Sequence, residues 1–228
     1  MTKAIVVFSG GQDSTTCLGA AIQEHGAENV SCISFRYGQK HAIELECAKI
    51  IAEKLGVELN VVNVDALGQL VTSALTEDGD TTQPHAYKEG LPASFVPNRN
   101  AMFLTLAHAY AQEKGATELW TGVCQTDYSG YPDCREVFIK ALETALNTGY
   151  ETNIEIRTPL MFLTKEETFI LAEQNDVLDL VIEHSHTCYN GDHTTKHAWG
   201  YGCGECPACE LRKKGYEEYV TGNGEYNV

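Results

Sequence analysis

Positive charge is scarce in this sequence. Sixteen Lys and Arg face 32 Asp and Glu over 228 residues, a formal net charge of −16. A surface that acidic repels phosphate polyanions, so no nucleic-acid partner is expected unless a local basic cleft overrides the field. Long apolar runs are also missing. Nothing resembles a signal peptide or a span of about 18 apolar residues, which points to a cytoplasmic protein without membrane contact. There are no internal repeats and no low-complexity stretches. The length suits one α/β domain with an appendage and is enough to bury a full core. In a cytoplasmic chain, nine cysteines imply metal binding or catalysis rather than disulfides. Four of the nine crowd into residues 188–209.

The first chemistry-bearing stretch is Phe8-Ser9-Gly10-Gly11-Gln12-Asp13-Ser14-Thr15-Thr16-Cys17-Leu18. It follows the apolar run Ala4-Ile5-Val6-Val7, with the β-branched content of a buried strand, and leads into a helix that Gly26 should end. A strand, a tight Gly-Gly turn and a helix N-terminus make an anion site, because glycine admits close backbone approach and the first helical N–H groups are free to donate. Two common phosphate motifs are lacking. No Lys follows the glycines as a P-loop requires, and the G-x-G-x-x-G dinucleotide fingerprint is absent. The string Ser9-Gly10-Gly11-Gln12-Asp13-Ser14 resembles the pyrophosphate loop of the ATP pyrophosphatases, which split ATP into AMP and pyrophosphate.

Farther along, residues 30–35 predict a second strand, 41–55 a helix stopped by Gly56, and 57–64 a third strand. This βαβαβ order implies a parallel, doubly wound sheet with ligands beyond the strands' C-terminal ends. Residues 65–97 lose periodicity and read as a long surface excursion. Asn98 should then cap a helix reaching about Lys114, before a fourth strand over 118–123. Asp133 and Glu136 have capping-box spacing, as do Thr164 and Glu167, and 154–156 suggest a short fifth strand.

Three constellations lie outside the loop. Arg99 falls in the first turn of its helix, where a cation meets the positive end of the dipole; an anionic ligand at that end would turn the cost into attraction. Residues 126–135 hold tyrosines and carboxylates able to stack on a flat heterocycle and accept from its amidine-type edge, with Asp127 the candidate acceptor and Asp133 read as a helix cap. Cys188, Cys203, Cys206 and Cys209 supply four thiolates, the number that closes a structural zinc site. A redox pair at Cys206 and Cys209, or an iron–sulfur cluster, are the other readings of those cysteines. His193 and His197 lie close enough in sequence to approach the metal or the substrate, and Cys124 stands at a strand exit where a nucleophile could work.

Taken together, the loop, Tyr37-Gly38-Gln39, Val96-Pro97-Asn98-Arg99-Asn100, Thr126–Arg135, Thr187-Cys188-Tyr189-Asn190-Gly191 and the spaced cysteines resemble the 7-cyano-7-deazaguanine synthase family over residues 3–214. The resemblance implies a Rossmann-like ATP-binding domain over 1–183 with a C-terminal zinc-binding segment over 184–228. It implies conversion of 7-carboxy-7-deazaguanine and ammonia to the 7-cyano base with ATP, in queuosine biosynthesis, by a homodimer with structural zinc and Mg²⁺ on the phosphates. Arg99, Asp127 and Ser14 become the candidate catalytic residues, Phe8 to Leu18 the ATP-binding segment, and the four cysteines the metal ligands. No stretch is left over for a glutaminase domain, so free ammonia is the expected nitrogen source. The stretch between Cys188 and Cys203 looks longer than that family's usual connector. A tRNA thiolase would need a basic surface and usually a cysteine pair near the loop exits; a nucleotide-binding zinc module without chemistry is the other alternative.

Overall fold

The computed structural model describes residues 2–38, 43–71, 73, 91, 93–126 and 131–222. Strand β1 (Ala4–Val7) is the centre of a five-stranded parallel sheet with β2 (Val30–Arg36), β3 (Glu58–Asn63), β4 (Glu118–Thr121) and β5 (Glu155–Arg157), in the order β3-β2-β1-β4-β5. Ala4 pairs with Val30 on one side and Glu118 on the other. After β3 the chain returns to the middle of the sheet, so the order reverses between β1 and β4 and a crevice opens beyond their C-terminal ends.

Alternation along β1 decides how the two faces are covered. Ala4 and Val6 pack with Leu18 and Ala21 of α1 (Gln12–His25) and Ala48 and Ile51 of α2 (Ile43–Leu55). A short helix, α3 (Ala66–Leu70), follows β3. Ile5 faces the other way, onto Leu104 and Ala107 of α4 (Arg99–Lys114) and Ile139 of α5 (Glu136–Tyr150). The remaining helices are α6 (Lys165–Gln174), α7 (Leu178–His184) and α8 (Pro207–Thr221), with a small antiparallel ladder of β6 (Lys196–His197) and β7 (Gly200–Tyr201) between the last two. Phe169 of α6 meets Tyr216 and Tyr219 of α8, which ties the C-terminal helix to the sheet layer. Among the described residues no helix is long and apolar enough to cross a membrane.

Most expected elements form within one or two residues of their expected ends. Gly26 ends α1 and α4 stops at Lys114, as expected, with Gly115 as its C-cap. The Thr164 capping box is complete: its side chain accepts from Glu167 N–H (3.2 Å), and the Glu167 carboxylate accepts from Thr164 N–H (2.6 Å). The one expected over Asp133 does not form. Pro132–Cys134 make a 3₁₀ turn, Arg135 occupies the N-cap of α5 without a side-chain bond, and Gln125 Oε1 accepts from Glu136 N–H instead. Asp133 has another partner, described below. Most of the 65–97 excursion, together with Gln39 and Asp127, lies outside the described residues.

Candidate active site

The turn from β1 into α1 is held by its own hydroxyls. Ser9 N–H donates to Ser14 Oγ (3.3 Å), Gly11 N–H donates to Ser9 Oγ (3.2 Å), and Ser14 Oγ donates to the Gly11 carbonyl (3.1 Å). Gln12, Asp13 and Ser14 open the helix, so their N–H groups precede the intrahelical ladder and point out of the loop. Thr15 and Thr16 spend their hydroxyls on the Gly11 and Gln12 carbonyls, and together with Cys17 and Leu18 they are fully buried. From the expected ATP-binding segment, Phe8, Ser9, Gly11, Gln12, Asp13 and Ser14 therefore reach the crevice.

Gly10 fixes where this loop sits. Its φ is +82°, and a Cβ there would stand 2.5 Å from the Glu44 carbonyl oxygen and 2.6 Å from the Ala48 nitrogen, both backbone atoms of α2. Neither can yield without moving the helix. Gly10→Ala is expected to cost about 3 kcal/mol or more, a fall of roughly 6–12 °C in Tm for a domain of this size. Gly56 also has positive φ, but no atom lies within 4 Å of its would-be Cβ, so Gly56→Ala should cost only about 1 kcal/mol. Thermal melts of the two variants check the contrast.

Arg99 enters from the opposite side of the crevice. Asn98 stands at the N-cap of α4 in a left-handed conformation (φ 59°) and makes no side-chain cap. Asp133 does that work across space, accepting from Asn100 N–H at 3.2 Å, while Asn100 Nδ2 donates to the Asp133 carbonyl (3.4 Å). Burial raises the Asp133 carboxyl above its usual range despite the nearby Arg99. Burial also works against the charge on Arg99, but Tyr37, Tyr131, Asp133 and Cys134 more than offset it and hold the guanidinium above its ordinary value. Its Cζ lies 5.9 Å from the centre of the Tyr37 ring.

Three ionisable side chains that the sequence did not single out share the space. Lys165, at the first position of α6, places Nζ 2.9 and 3.0 Å from the two Asp13 carboxylate oxygens. Arg212 is 1 % exposed and donates to the Trp199 carbonyl (2.9 Å), the Val181 carbonyl (2.7 Å) and Thr187 Oγ1 (3.1 Å). Burial lowers its pKa to about 10. Glu44, in the first turn of α2, is pushed up to about 7 by burial, which the Arg99 charge opposes only in part.

Between a free-chain value of 4.5 and about 7, the folded state holds a proton that the unfolded chain has lost. Glu44 therefore favours folding most at low pH, and that contribution disappears as pH rises through about 7. Glu44→Gln should flatten the decline of Tm between pH 5 and pH 8 relative to the wild type. An equal decline in both proteins would contradict this.

The loop, Glu44, Arg99, Lys165 and Arg212 border one cavity of about 310 Å³. The phosphate loop, Arg99, Lys165 and Arg212 line it on several sides, while Tyr37, Tyr131 and Tyr189 add aromatic wall. Cys124 borders it too, with Sγ 3.0 Å from Thr126 Oγ1 and 3.3 Å from the Leu163 carbonyl. Gly122 lets the end of β4 approach the loop, since a Cβ there would meet the Asp13 carbonyl at 2.8 Å. Arg36 and Arg135 are exposed and lie outside the cavity.

The four C-terminal cysteines converge beside this wall. Their Sγ atoms all lie within 4.8 Å of one another, with Cys203–Cys209 at 3.9 Å and Cys188–Cys206 at 4.0 Å. Four thiolates at about 2.3 Å from one tetrahedral ion stand close to 3.8 Å apart, so the group fits a single metal. An iron–sulfur cluster would spread the thiolates farther, and convergence of all four disfavours an isolated redox pair. Gly202 permits the approach, because a Cβ on it would lie 2.6 Å from Cys209 Sγ. Neither histidine of the long connector joins the set. His197 stacks on Trp199 (4.3 Å between centroids) and contacts the Gly202 carbonyl at 2.9 Å. His193 lies against His186 (Nδ1–Nδ1 3.3 Å) and Cys47 (3.7 Å). His186 Nε2 faces the Cys188 carbonyl at 2.9 Å and must carry a proton to bond it, so in the neutral pair His193 donates to His186 and Cys47 to His193.

A parallel sheet carrying an anion loop at its switch point, lined by Arg99, Lys165 and the buried Arg212 and backed by a thiolate cluster, defines an α/β nucleotide-dependent enzyme. More specifically, residues 3–220 match the family described as queuosine biosynthesis protein QueC, and the chain belongs to it. It is 55 % identical over 220 residues to the 7-cyano-7-deazaguanine synthase of Wolinella succinogenes, covering 96 % of this chain and 94 % of that one. It is 51 % identical over 217 residues to the synthase of the same name from Helicobacter pylori strain P12, covering 94 % of each. The solved structure of a predicted subunit of tRNA methyltransferase from Methanocaldococcus jannaschii aligns with a TM-score of 0.49 at 20 % identity, over 76 % of this chain and 75 % of that one.

Proposed function

We propose that this protein is an ATP-dependent 7-cyano-7-deazaguanine synthase that takes 7-carboxy-7-deazaguanine and ammonia as substrates. The carrying observation is that one cavity unites the loop's N–H groups with Arg99, Lys165 and Arg212, in a chain matching synthases of that name over nearly its full length. In this proposal a carboxylate oxygen attacks the α-phosphorus of ATP, and pyrophosphate leaves toward the loop. Ammonia then attacks the acyl carbon, AMP leaves with the substrate oxygen, and an amide forms with loss of a proton. The amide oxygen attacks the α-phosphorus of a second ATP; loss of two protons and departure of AMP leave the nitrile. Arg99 and Lys165 stabilise charge on the phosphates, and Ser14 keeps the loop in register. Asp127 is assigned the amidine edge of the base.

We extend this proposal to the architecture, cofactors and assembly of the protein. Residues 1–183 form the ATP-binding part and 184–228 a zinc-binding segment packed on it. Zinc is structural, Mg²⁺ accompanies ATP, ammonia is free, and the protein works as a cytoplasmic homodimer. With ¹⁸O in both carboxylate oxygens, each nitrile made should leave one labelled oxygen in each of two AMP molecules. Label released as water with none in AMP would overturn the mechanism.

A further inference from the structure

Gln12 opens α1 and borders the cavity, yet only 3 % of it is exposed. Among the described residues neither its side-chain Nε2 nor its Oε1 has a hydrogen-bond partner. A buried carboxamide with both halves unpaired is costly to keep, and a ligand that pairs both returns that cost as affinity. The complement of a planar group with a donor beside an acceptor is another with an acceptor beside a donor. A primary carboxamide provides that, closing a cyclic pair of hydrogen bonds. A carboxylate offers acceptors alone and a nitrile a single acceptor, so each leaves Oε1 unpaired.

Position narrows the choice of ligand group. Gln12 belongs to the first turn of the helix whose N–H groups face the crevice, so the part of a substrate within its reach is the part that meets phosphorus. We infer that Gln12 holds the carboxamide intermediate between the two activations, donating from Nε2 to the amide oxygen and accepting at Oε1 from the amide nitrogen. This rests on the proposed synthase reaction. Of the three states of the reacting substituent, the half-converted one is bound best. The amide therefore waits for a second ATP rather than leaving.

The test uses the full-length protein and Gln12→Leu, which keeps the bulk and removes both polar atoms. Binding of the 7-carboxamide base should weaken about ten- to a hundredfold in the variant, with little change for 7-deazaguanine lacking the substituent. In single turnovers starting from the carboxy base, the fraction ending as free amide should rise. That fraction is a partition, so a general loss of rate does not move it. Without ligands the variant should melt no lower than the wild type, because a buried orphan has been removed. Equal weakening for both bases, an unchanged partition, or a lower Tm would overturn the assignment and make Gln12 a support of the loop. If the wild type itself makes no nitrile, the synthase reading fails first; if it does and the partition is unmoved, the Gln12 assignment alone fails.

Discussion

Replacing Lys165 with methionine should slow substrate-dependent pyrophosphate release by about 10²- to 10⁴-fold. The side chain of Lys165 is 9 % exposed, and its Nζ neutralises the Asp13 carboxylate at 2.9 and 3.0 Å. Two effects act together in the variant. The cation that would face the transferring phosphoryl group disappears, and Asp13 is left as an unpaired anion beside the loop meant to receive pyrophosphate. Methionine keeps the length of the stem, so packing against α8 changes little. Lys165→Arg should recover part of the rate, because charge is restored while the single-point contact with Asp13 is not reproduced. Pyrophosphate release measured at saturating ATP distinguishes the outcomes: a methionine variant within tenfold of the wild type would show that Lys165 serves the fold and not the reaction.

Losing the proposed zinc should be among the largest stability changes available by a single substitution. Cys206→Ser removes one of four converging thiolates and is expected to leave less than a tenth of the bound zinc and to lower Tm by about 10 °C or more. The cluster is most of what the C-terminal segment has for a core, with Trp199 and Ala208 packed around the sulfurs. The consequence reaches the cavity through Arg212, whose guanidinium is held partly by the Trp199 carbonyl and Thr187. Chelation of the wild type should therefore depress activity along with Tm. Metal analysis alongside calorimetry checks this, and a Cys206→Ser protein that melts like the wild type would refute a structural metal.

What the sequence made legible is what local pattern encodes. The sheet followed from βαβαβ order, the anion loop from glycines between a strand and a helix, and the thiolate set from cysteines at steps of three. The Thr164 box formed because Lys165 onward had no competing use for that cap. Asp133 has the same spacing from Glu136, yet Pro132 starts a 3₁₀ turn and the carboxylate is drawn to Asn100, a partner 33 residues away. Glu44 and Arg212 stayed hidden for a related reason. On α2 and α8 they look like solvated charges, and only the packing of those helices against the crevice buries Arg212 and half-buries Glu44. Lys165 was detectable: it meets the same positive helix end that singles out Arg99, one residue after a recognisable cap.

An adenylating site that runs twice on one substrate is tested most directly by nucleotide accounting. Protein incubated with the carboxy base, ammonium and ATP should give two AMP and two pyrophosphate for each 7-cyano base, followed by mass spectrometry and without added tRNA. ADP and orthophosphate as products, a strict requirement for tRNA, or no turnover at all would contradict it.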